Sequence, residues 1–253
     1  MFINLNKIIK KYNLEIDGLV HFGAHKGQEV DSYLENKIKN IHLFEPQNHA
    51  FSYLKSNFEG LDEITLYNFG LGNTEEKVNL FKEKDNDGMS SSILEPLKHK
   101  KYYPEIHFEG KEQILIKRYE NLNIENVNFL NIDIQGFEIE ALKGCGIKLD
   151  DFDYIYTEVN RKELYRGNPN IREIDNYLDQ FNFLRVQTFW ASSNLPFGDA
   201  LYIKKEKLSK NYILLSNMKS LFWSTGLFYI FIDFFRIIKK FLIKIRNKLK
   251  TIV

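Results

Sequence analysis

The chain has 253 residues, of which 43% are apolar and 27% are charged, and its formal net charge is +1. These values are typical of an ordinary soluble globular domain, and they exclude a disordered chain and a generally nucleic-acid-binding protein. Cys145 is the only cysteine. It excludes an intrachain disulfide and a cysteine-built metal site, and it fits a reducing, cytoplasmic setting.

The first segment, residues 1–17, is an apolar stretch that lysines interrupt. It lacks the uninterrupted apolar core of about 7–15 residues that a secretory signal needs. We therefore expect an amphipathic helix here and no secretory signal.

Seven apolar runs recur along the chain with helical or loop segments between them. They cover residues 18–22, 41–45, 64–69, 127–133, 154–159, 183–189 and 200–204. Near-continuous apolar runs that alternate with helices are typical of a mostly parallel sheet with helices on both faces. The sequence therefore predicts an α/β fold with seven strands.

The alternation lapses between about residues 75 and 122, where a polar turn precedes the serine-rich stretch "SSSIL". Insertions of this length in α/β folds commonly form the rim of a pocket. We place acceptor selection in this insertion and predict that Ser91 and Ser92 contact the acceptor.

The ends of the first three runs predict a cofactor site, because open parallel sheets bind ligands at the carboxyl ends of their strands. The first run ends in a glycine-containing bend, the second in an acid about 20 residues later, and this arrangement suits an adenosine-containing cofactor. The bend reads G-x-x-x-G and not G-x-G-x-x-G, which favours S-adenosylmethionine over a nicotinamide dinucleotide. The predicted cofactor contacts are Gly23, Ala24, His25, Gly27, Glu45, Gly70 and Leu71.

The fourth and fifth runs end in Asp133 and Glu158, which we expect to face one another across the pocket. We predict that Asp133 is the general base and that Glu158 orients the acceptor or shares that role. Helix capping is the structural alternative for both acids. Two candidate ligands are too few to predict a metal site.

Three more side chains are predicted to contact the acceptor: Gln135, Glu138 and Trp190. Glu138 also suits a capping role at the start of a helix, and core packing is the alternative for Trp190. His21 lies within the first run, so we expect a buried core histidine.

The last segment, residues 211–253, predicts an amphipathic helix with one apolar and one basic face. Its apolar run, residues 221–235, is shorter than the ~20 residues of a spanning helix. Residues 217–253 therefore suit an anionic membrane surface. A self-associating helix, and hence a homo-oligomer, and a helix packed onto the domain are the alternatives.

The motifs "FGAHKGQ", "LFEP", "SSSIL", "NIDIQGFEIEALKG", "YTEVN" and "GDALYIK" stand in an order and spacing that resemble FkbM-type S-adenosylmethionine-dependent methyltransferases. The resemblance covers about residues 17–205 and implies a class I methyltransferase fold, here residues 1–210. It also implies O-methylation of sugar hydroxyls in glycans or glycoconjugates. His21 departs from the family, which often has aspartate there, and "ILIKRYENL" replaces a threonine-leucine-aspartate stretch.

Two other functions stay open at this level. A non-catalytic module could keep the fold and use the tail as a membrane or partner adaptor, and a nicotinamide oxidoreductase is disfavoured only by the glycine spacing. An enzyme that modifies glycans would work in the cytoplasm, with peripheral attachment to the inner face of the membrane as an option for the tail.

Overall fold

The computed structural model describes residues 4–192 and 195–213. The chain divides into two compact units, residues 1–205 and 206–253, and the predicted tail helix lies almost wholly outside the described residues. In the described part of the chain, no helix is long and apolar enough to cross a membrane.

A seven-stranded sheet forms the centre of the first unit, and each of the seven predicted runs contributes one strand to it. The described residues form ten strands: β1 (Leu19–Phe22), β2 (Ile41–Phe44), β3 (Ile64–Tyr67), β4 (Gly70–Leu71), β5 (Glu76–Glu83), β6 (Phe108–Lys117), β7 (Phe129–Ile132), β8 (Tyr154–Asn160), β9 (Phe183–Trp190) and β10 (Phe197–Lys204). The large sheet has the order β3-β2-β1-β7-β8-β10-β9. β10 is antiparallel to both its neighbours, and the other pairs are parallel.

Within the described part of the chain, six α-helices accompany the strands: α1 (Leu5–Tyr12), α2 (Val30–Glu35), α3 (Asn48–Phe58), α4 (His99–Tyr102), α5 (Glu138–Gly144) and α6 (Ile171–Asp179). All residues of β1, β2 and β7 are buried, as expected for central strands covered on both faces. α6 begins with a complete capping box between Asn170 and Glu173, which satisfies backbone N–H groups of its first turn.

A small second sheet, with the order β4-β6-β5, lies largely within the predicted insertion. Its apolar side chains Leu80, Ile114 and Ile116 form a separate buried cluster. β4 follows β3 after a short break and pairs with β6. The insertion is therefore built on the antiparallel pair β5 and β6, with the serine-rich stretch and α4 in the connection between them.

Two glycines bring α5 against the segment that follows β4. A Cβ atom at Gly144 would lie 2.0 Å from the carbonyl oxygen of Gly72, which is far inside van der Waals contact. Only a residue without a side chain allows this approach.

His21 lies in the core, as its position within the first run predicts. Its ring is 2% exposed and shares a hydrogen bond with the hydroxyl of Tyr33 at 3.2 Å. Burial lowers the pKa of His21 to about 3, so the ring is neutral at physiological pH.

Candidate active site

One residue in or directly after each of five adjacent strands lies in a single row across the sheet, at the edge where the parallel strands end. Phe22 pairs with Phe44 and Ile132, and Ile132 pairs with Thr157. The residue that follows each of these four is a member of the row. Asp199 of β10 is the fifth member, because it pairs directly with Glu158. In sheet order the row therefore reads Glu45, Gly23, Asp133, Glu158 and Asp199.

Glu45 is held by the backbone on either side of it. One carboxylate oxygen accepts from the N–H of His25 at 2.8 Å, and the other accepts from the N–H of Gln47 at 2.7 Å. Burial raises the pKa of Glu45 to about 7, although these backbone hydrogen bonds act in the opposite direction. Each oxygen retains a lone pair for a further donor.

The bend after β1 owes its glycines to this chain's own packing. Gly23 has φ +84°, and a Cβ there would lie 2.0 Å from the carbonyl oxygen of Asp133. Gly27 has φ +79°, and a Cβ there would lie 2.6 Å from the ring of Phe58 on α3. Chain contacts and left-handed backbone therefore favour glycine at both positions.

An apolar slot opens beside Glu45 between the main sheet and the small sheet. Its walls include Phe44, Leu71, Ile114, Ile134 and Phe137. Four predicted cofactor residues line it: Gly23, Glu45, Gly70 and Leu71. The other three, Ala24, His25 and Gly27, form the bend behind it, where the N–H of Ala24 donates to the carbonyl of Phe44.

The residues that line the slot suit the chemistry of the adenosine part of S-adenosylmethionine. Its apolar walls suit a planar purine ring, and the two carboxylate oxygens of Glu45 can accept from vicinal ribose hydroxyls. Hydrogen bonds to a buried carboxylate also offset part of its desolvation. The chemistry of the residues present therefore matches this group.

Asp133 and Glu158 are joined by the side chain of Gln135. Its amide nitrogen donates to Asp133 at 2.8 Å and to Glu158 at 2.9 Å. The hydroxyl of Tyr165 donates to the side-chain amide oxygen of Gln135 at 3.1 Å, and the hydroxyl of Ser92 donates to the backbone carbonyl of Gln135 at 2.7 Å. Gln135 and Ser92, both predicted acceptor contacts, thus hold the two acids in place.

Asp199 is a member of the row that the sequence analysis missed. Cross-strand partners in an antiparallel pair project from the same face, so its side chain lies on the same side of the sheet as that of Glu158. The hydroxyl of Tyr156 donates to its carboxylate. The search of strand carboxyl ends overlooked it because β10 runs backwards and presents its amino end at this edge; the "GDALYIK" motif was the available signal.

A cleft of about 340 Å³ lies in front of Asp133, Glu158 and Asp199. Gln135, His99, Tyr103 and Phe197 are among its other lining residues. We call it the acceptor cleft. His99 and Tyr103 belong to the insertion, and neither residue was singled out from the sequence.

The acids of the acceptor cleft differ in exposure. Glu158 is 6% exposed, and burial together with the charges of Asp133, Glu138 and Asp199 raises its pKa well above the ordinary value. Glu158 therefore holds its proton to a higher pH than an ordinary glutamate. Asp133 is only partly buried and is therefore the more accessible of the two from the cleft.

Glu138 lies at the start of α5 and is fully buried. One carboxylate oxygen accepts from the N–H of Gly136 at 2.9 Å, and the other has no partner among the described residues. Burial raises its pKa to about 7. It does not line the acceptor cleft, and its hydrogen bond holds the N–H of Gly136 in the turn before α5.

Ser91 and Trp190 lie away from the acceptor cleft. Ser91 accepts from the N–H of Glu83 at 3.0 Å and lines the apolar slot. Trp190 pairs with Gly198, next to Asp199, so alternation along the strand places its ring on the other face of the sheet. There the guanidinium of Arg161 lies 3.7 Å from the ring centroid.

The described residues contain no group of three or more His, Cys, Asp or Glu side chains placed to hold a metal ion. In the row of acids, the amide of Gln135 occupies the position between Asp133 and Glu158.

Comparisons with known proteins agree with this geometry. The model of the methyltransferase FkbM domain family matches residues 21–185, well over half of the chain. A relative, the 2-O-methyltransferase NoeI of Sinorhizobium fredii (strain NBRC 101917 / NGR234), is 24% identical over 177 residues, which are 66% of this chain and 72% of the relative.

Two solved structures show how distant the similar folds are. The FkbM methyltransferase of Methylobacillus flagellatus KT has a TM-score of 0.49 and 14% identity over 74% of this chain, and the match spans only 43% of that protein. Magnesium protoporphyrin IX methyltransferase of Synechocystis PCC 6803, solved with bound S-adenosylmethionine, has a TM-score of 0.46 and 8% identity, with 79% of this chain and 77% of that one covered. The family match carries the assignment: the chain belongs to the methyltransferase FkbM domain family and is an S-adenosylmethionine-dependent methyltransferase with the class I fold.

Proposed function

We propose that this enzyme transfers a methyl group from S-adenosylmethionine to a hydroxyl of a sugar in a glycan or glycoconjugate. The observation that carries the proposal is the shared row, because it sets the slot beside Glu45 and the acids Asp133 and Glu158 along one edge of one sheet. A cofactor in the slot and an acceptor in the cleft would therefore meet near Gly23 and Asp133.

On the cofactor side, Glu45 accepts from the ribose hydroxyls, and the apolar walls that include Leu71 and Phe137 enclose the purine. When bound, S-adenosylmethionine supplies a methyl group that its sulfonium already activates. The work left to the protein is to hold an acceptor oxygen in line, about 3–3.5 Å from the carbon, and to exclude water.

On the acceptor side, Asp133 takes the proton of the hydroxyl as the oxygen attacks. A positioned base contributes on the order of 10²–10⁴ in rate. Gln135 fixes the carboxylate of Asp133 through a hydrogen bond of 2.8 Å and thereby keeps it at the cleft. Glu158 orients the acceptor from the neighbouring strand.

The choice of a sugar hydroxyl rests on the chemistry of the cleft. Carboxylates accept from hydroxyl groups, and the rings of Tyr103 and Phe197, whose centroids are 6.1 Å apart, offer faces on which a pyranose can stack. The similar protein NoeI is described as a 2-O-methyltransferase, which agrees with transfer to oxygen.

The test has two parts. Calorimetry with S-adenosylhomocysteine should show binding to the full chain. Mass spectrometry should then find a glycan of the source cell that lacks one methyl group when the gene is deleted and regains it with the wild-type gene but not with Asp133→Asn. Absence of cofactor binding would favour the non-catalytic module, and an unchanged glycan profile would contradict the proposed acceptor.

A further inference from the structure

A turn of the insertion borders both the apolar slot and the acceptor cleft. We call this turn, residues 86–91, the strap. Ser91 lines the slot, whereas Asn86, Met89 and Ser90 line the acceptor cleft. The strap is therefore a wall that the two regions share, and a movement of the strap would change both of them.

The strap is attached to the bend after β1 by two side chains of that bend. The ammonium group of Lys26 pairs with the carboxylate of Asp87. The ring Nε2 of His25 donates to the carbonyl oxygen of Asp87 at 2.9 Å. The backbone N–H of the same histidine donates to Glu45, so the strap contacts the segment that holds the predicted ribose acceptor.

The start of α3 and the segment before it attach the strap from a second side. The ring Nε2 of His49 donates to the carbonyl oxygen of Asp87 at 3.0 Å. Gln47, which lines the slot, donates through its side-chain amide to the carbonyl of Gly88 at 3.3 Å. On the acceptor side, the hydroxyl of Tyr165 lies 2.9 Å from the carbonyl oxygen of Ser90.

The attachment to the bend is of a kind that breaks and re-forms easily. The side chains of Lys26 and Asp87 are 27% and 52% exposed. Ion pairs at this exposure contribute little free energy, because water screens them. The strap can therefore leave the bend without the unfolding of either sheet.

The slot must widen before it can enclose a purine. Its volume is about 50 Å³, whereas a cavity of about 150 Å³ holds a benzene ring, and adenine is a larger ring system. Wall residues on strands, such as Phe44 and Ile116, are fixed by pairing within the two sheets. Ser91 belongs to the strap, so the wall that it forms is the one that side-chain contacts hold in place.

We propose that the strap is the gate of the cofactor slot, and that the ion pair between Lys26 and Asp87 is its latch. The strap opens to admit S-adenosylmethionine and closes over it, and the same closure completes the wall of the acceptor cleft. Loops that close over a bound cofactor exclude water from the reaction. The proposal rests on the placement of adenosine in the slot, which Glu45→Ala tests separately.

The experiment measures how fast S-adenosylhomocysteine binds to and leaves the immobilised full chain, by surface plasmon resonance, and its dissociation constant by calorimetry. Entry and exit both require the open strap, so both rates follow the fraction of open molecules. Asp87→Asn weakens the latch and should raise both rates about three- to fivefold, the most that an exposed ion pair provides. The dissociation constant should stay within about twofold.

Two further variants test whether the effect belongs to the latch and to the strap. Lys26→Met should reproduce Asp87→Asn, and the double variant should be no faster than either single variant, because all three lack the same ion pair. His49→Ala removes a contact to the strap from a residue that is not among the described residues lining the slot. It should also raise both rates.

Asp85→Asn is the matched control. Asp85 precedes the strap and accepts from the N–H of His107 at 2.6 Å, within the insertion. The change removes the same charge one turn residue outside the strap, so both rates should equal those of the wild type. An equal acceleration by Asp85→Asn would show that the acceleration is not specific to the latch, and it would overturn the proposal.

Three other results would overturn it. Unchanged rates in Asp87→Asn would exclude the latch, and unchanged rates in both Asp87→Asn and His49→Ala would exclude the gate. A larger dissociation constant with an unchanged association rate would show that Asp87 supports the bound cofactor and does not control its entry. Failure of the wild-type chain to bind S-adenosylhomocysteine would contradict the cofactor site itself, and this outcome is distinct from a failure of the gate.

Discussion

The slot beside Glu45 and the acceptor cleft hold their buried carboxylates by different means. Glu45 is fixed by two backbone N–H groups, those of His25 and Gln47. Glu158 is fixed by the side-chain amides of Gln135 and Asn160. Backbone donors depend on the path of the chain, whereas amide donors depend on residue identity. The comparison suggests that the slot tolerates side-chain changes around it and that the cleft does not.

We expect the largest effect on turnover from a change at Asp133, the acid nearest to the boundary between the slot and the acceptor cleft. Asp133→Asn removes the proton acceptor and should lower turnover by about 10²–10⁴. Affinity for S-adenosylhomocysteine, measured by calorimetry, should stay within about twofold because the slot is unchanged. Retained turnover would show that Asp133 is not the base.

Gly23→Ala should be strongly destabilising. The change forces a side chain into left-handed backbone and against the carbonyl of Asp133, 2.0 Å away. We expect a loss of about 2–5 kcal/mol in the free energy of unfolding, measured by urea denaturation. Gly60→Ala is the matched control, since Gly60 has φ +92° but nothing within 4 Å of a Cβ. Equal losses of unfolding free energy in both variants would show that the close contact with Asp133 does not cause the destabilisation.

Glu45→Ala should raise the dissociation constant of S-adenosylhomocysteine tenfold or more, because a carboxylate that accepts from both ribose hydroxyls contributes roughly 1.5–3 kcal/mol per hydrogen bond. Calorimetry on the folded variant measures the change. Unchanged binding would place the ribose elsewhere.

The affinity for S-adenosylhomocysteine should also fall as the pH is lowered through about 7, the pKa to which burial raises Glu45. Only the ionised carboxylate accepts from both hydroxyls, and protonation below this pKa costs up to about tenfold per pH unit. Glu45→Gln should bind weakly with little dependence on pH. For folding the sign is opposite: the raised pKa favours the folded state below the ordinary pKa of glutamate, and this contribution is lost as the pH rises through about 7.

The smallest effects compare the two ways in which the carboxylates are held, by a backbone N–H group at Glu45 and by a side-chain amide at Asp133 and Glu158. His25→Ala keeps the N–H that donates to Glu45 and should change the dissociation constant of S-adenosylhomocysteine by less than about threefold. Gln135→Ala removes the bridge between Asp133 and Glu158 and should lower turnover by about tenfold. Initial rates and calorimetry on both variants provide the comparison; a larger effect of His25→Ala on binding would reverse it.

The seven strands could be predicted from the sequence because each is a largely apolar run, most continuously so in the buried strands β1, β2 and β7. The same rule located Glu45, Asp133 and Glu158, since each ends such a run. It missed Asp199 because strand direction is decided by tertiary pairing: β10 is antiparallel to β8 and β9, and no local pattern distinguishes its two ends.

The direction in which side chains point also could not be predicted from the sequence. Whether Trp190 faces the cleft depends on its register with Gly198, which a single strand does not specify. Gln135 has φ +54°, and this left-handed turn carries its amide back between the two acids. Its bridging role follows from a backbone conformation that the residue type does not predict.

The contact between Gly144 and Gly72 bears on how relatives of this enzyme are identified. Gly144 is the last residue of "DIQGFEIEALKG", and it serves helix packing, whereas Asp133 at the other end is the proposed base. A descendant that lost catalysis would still need the glycine in order to fold. Under the proposed mechanism, surveys that count the whole stretch would group active and inactive descendants together, and the identity of its first aspartate would separate them.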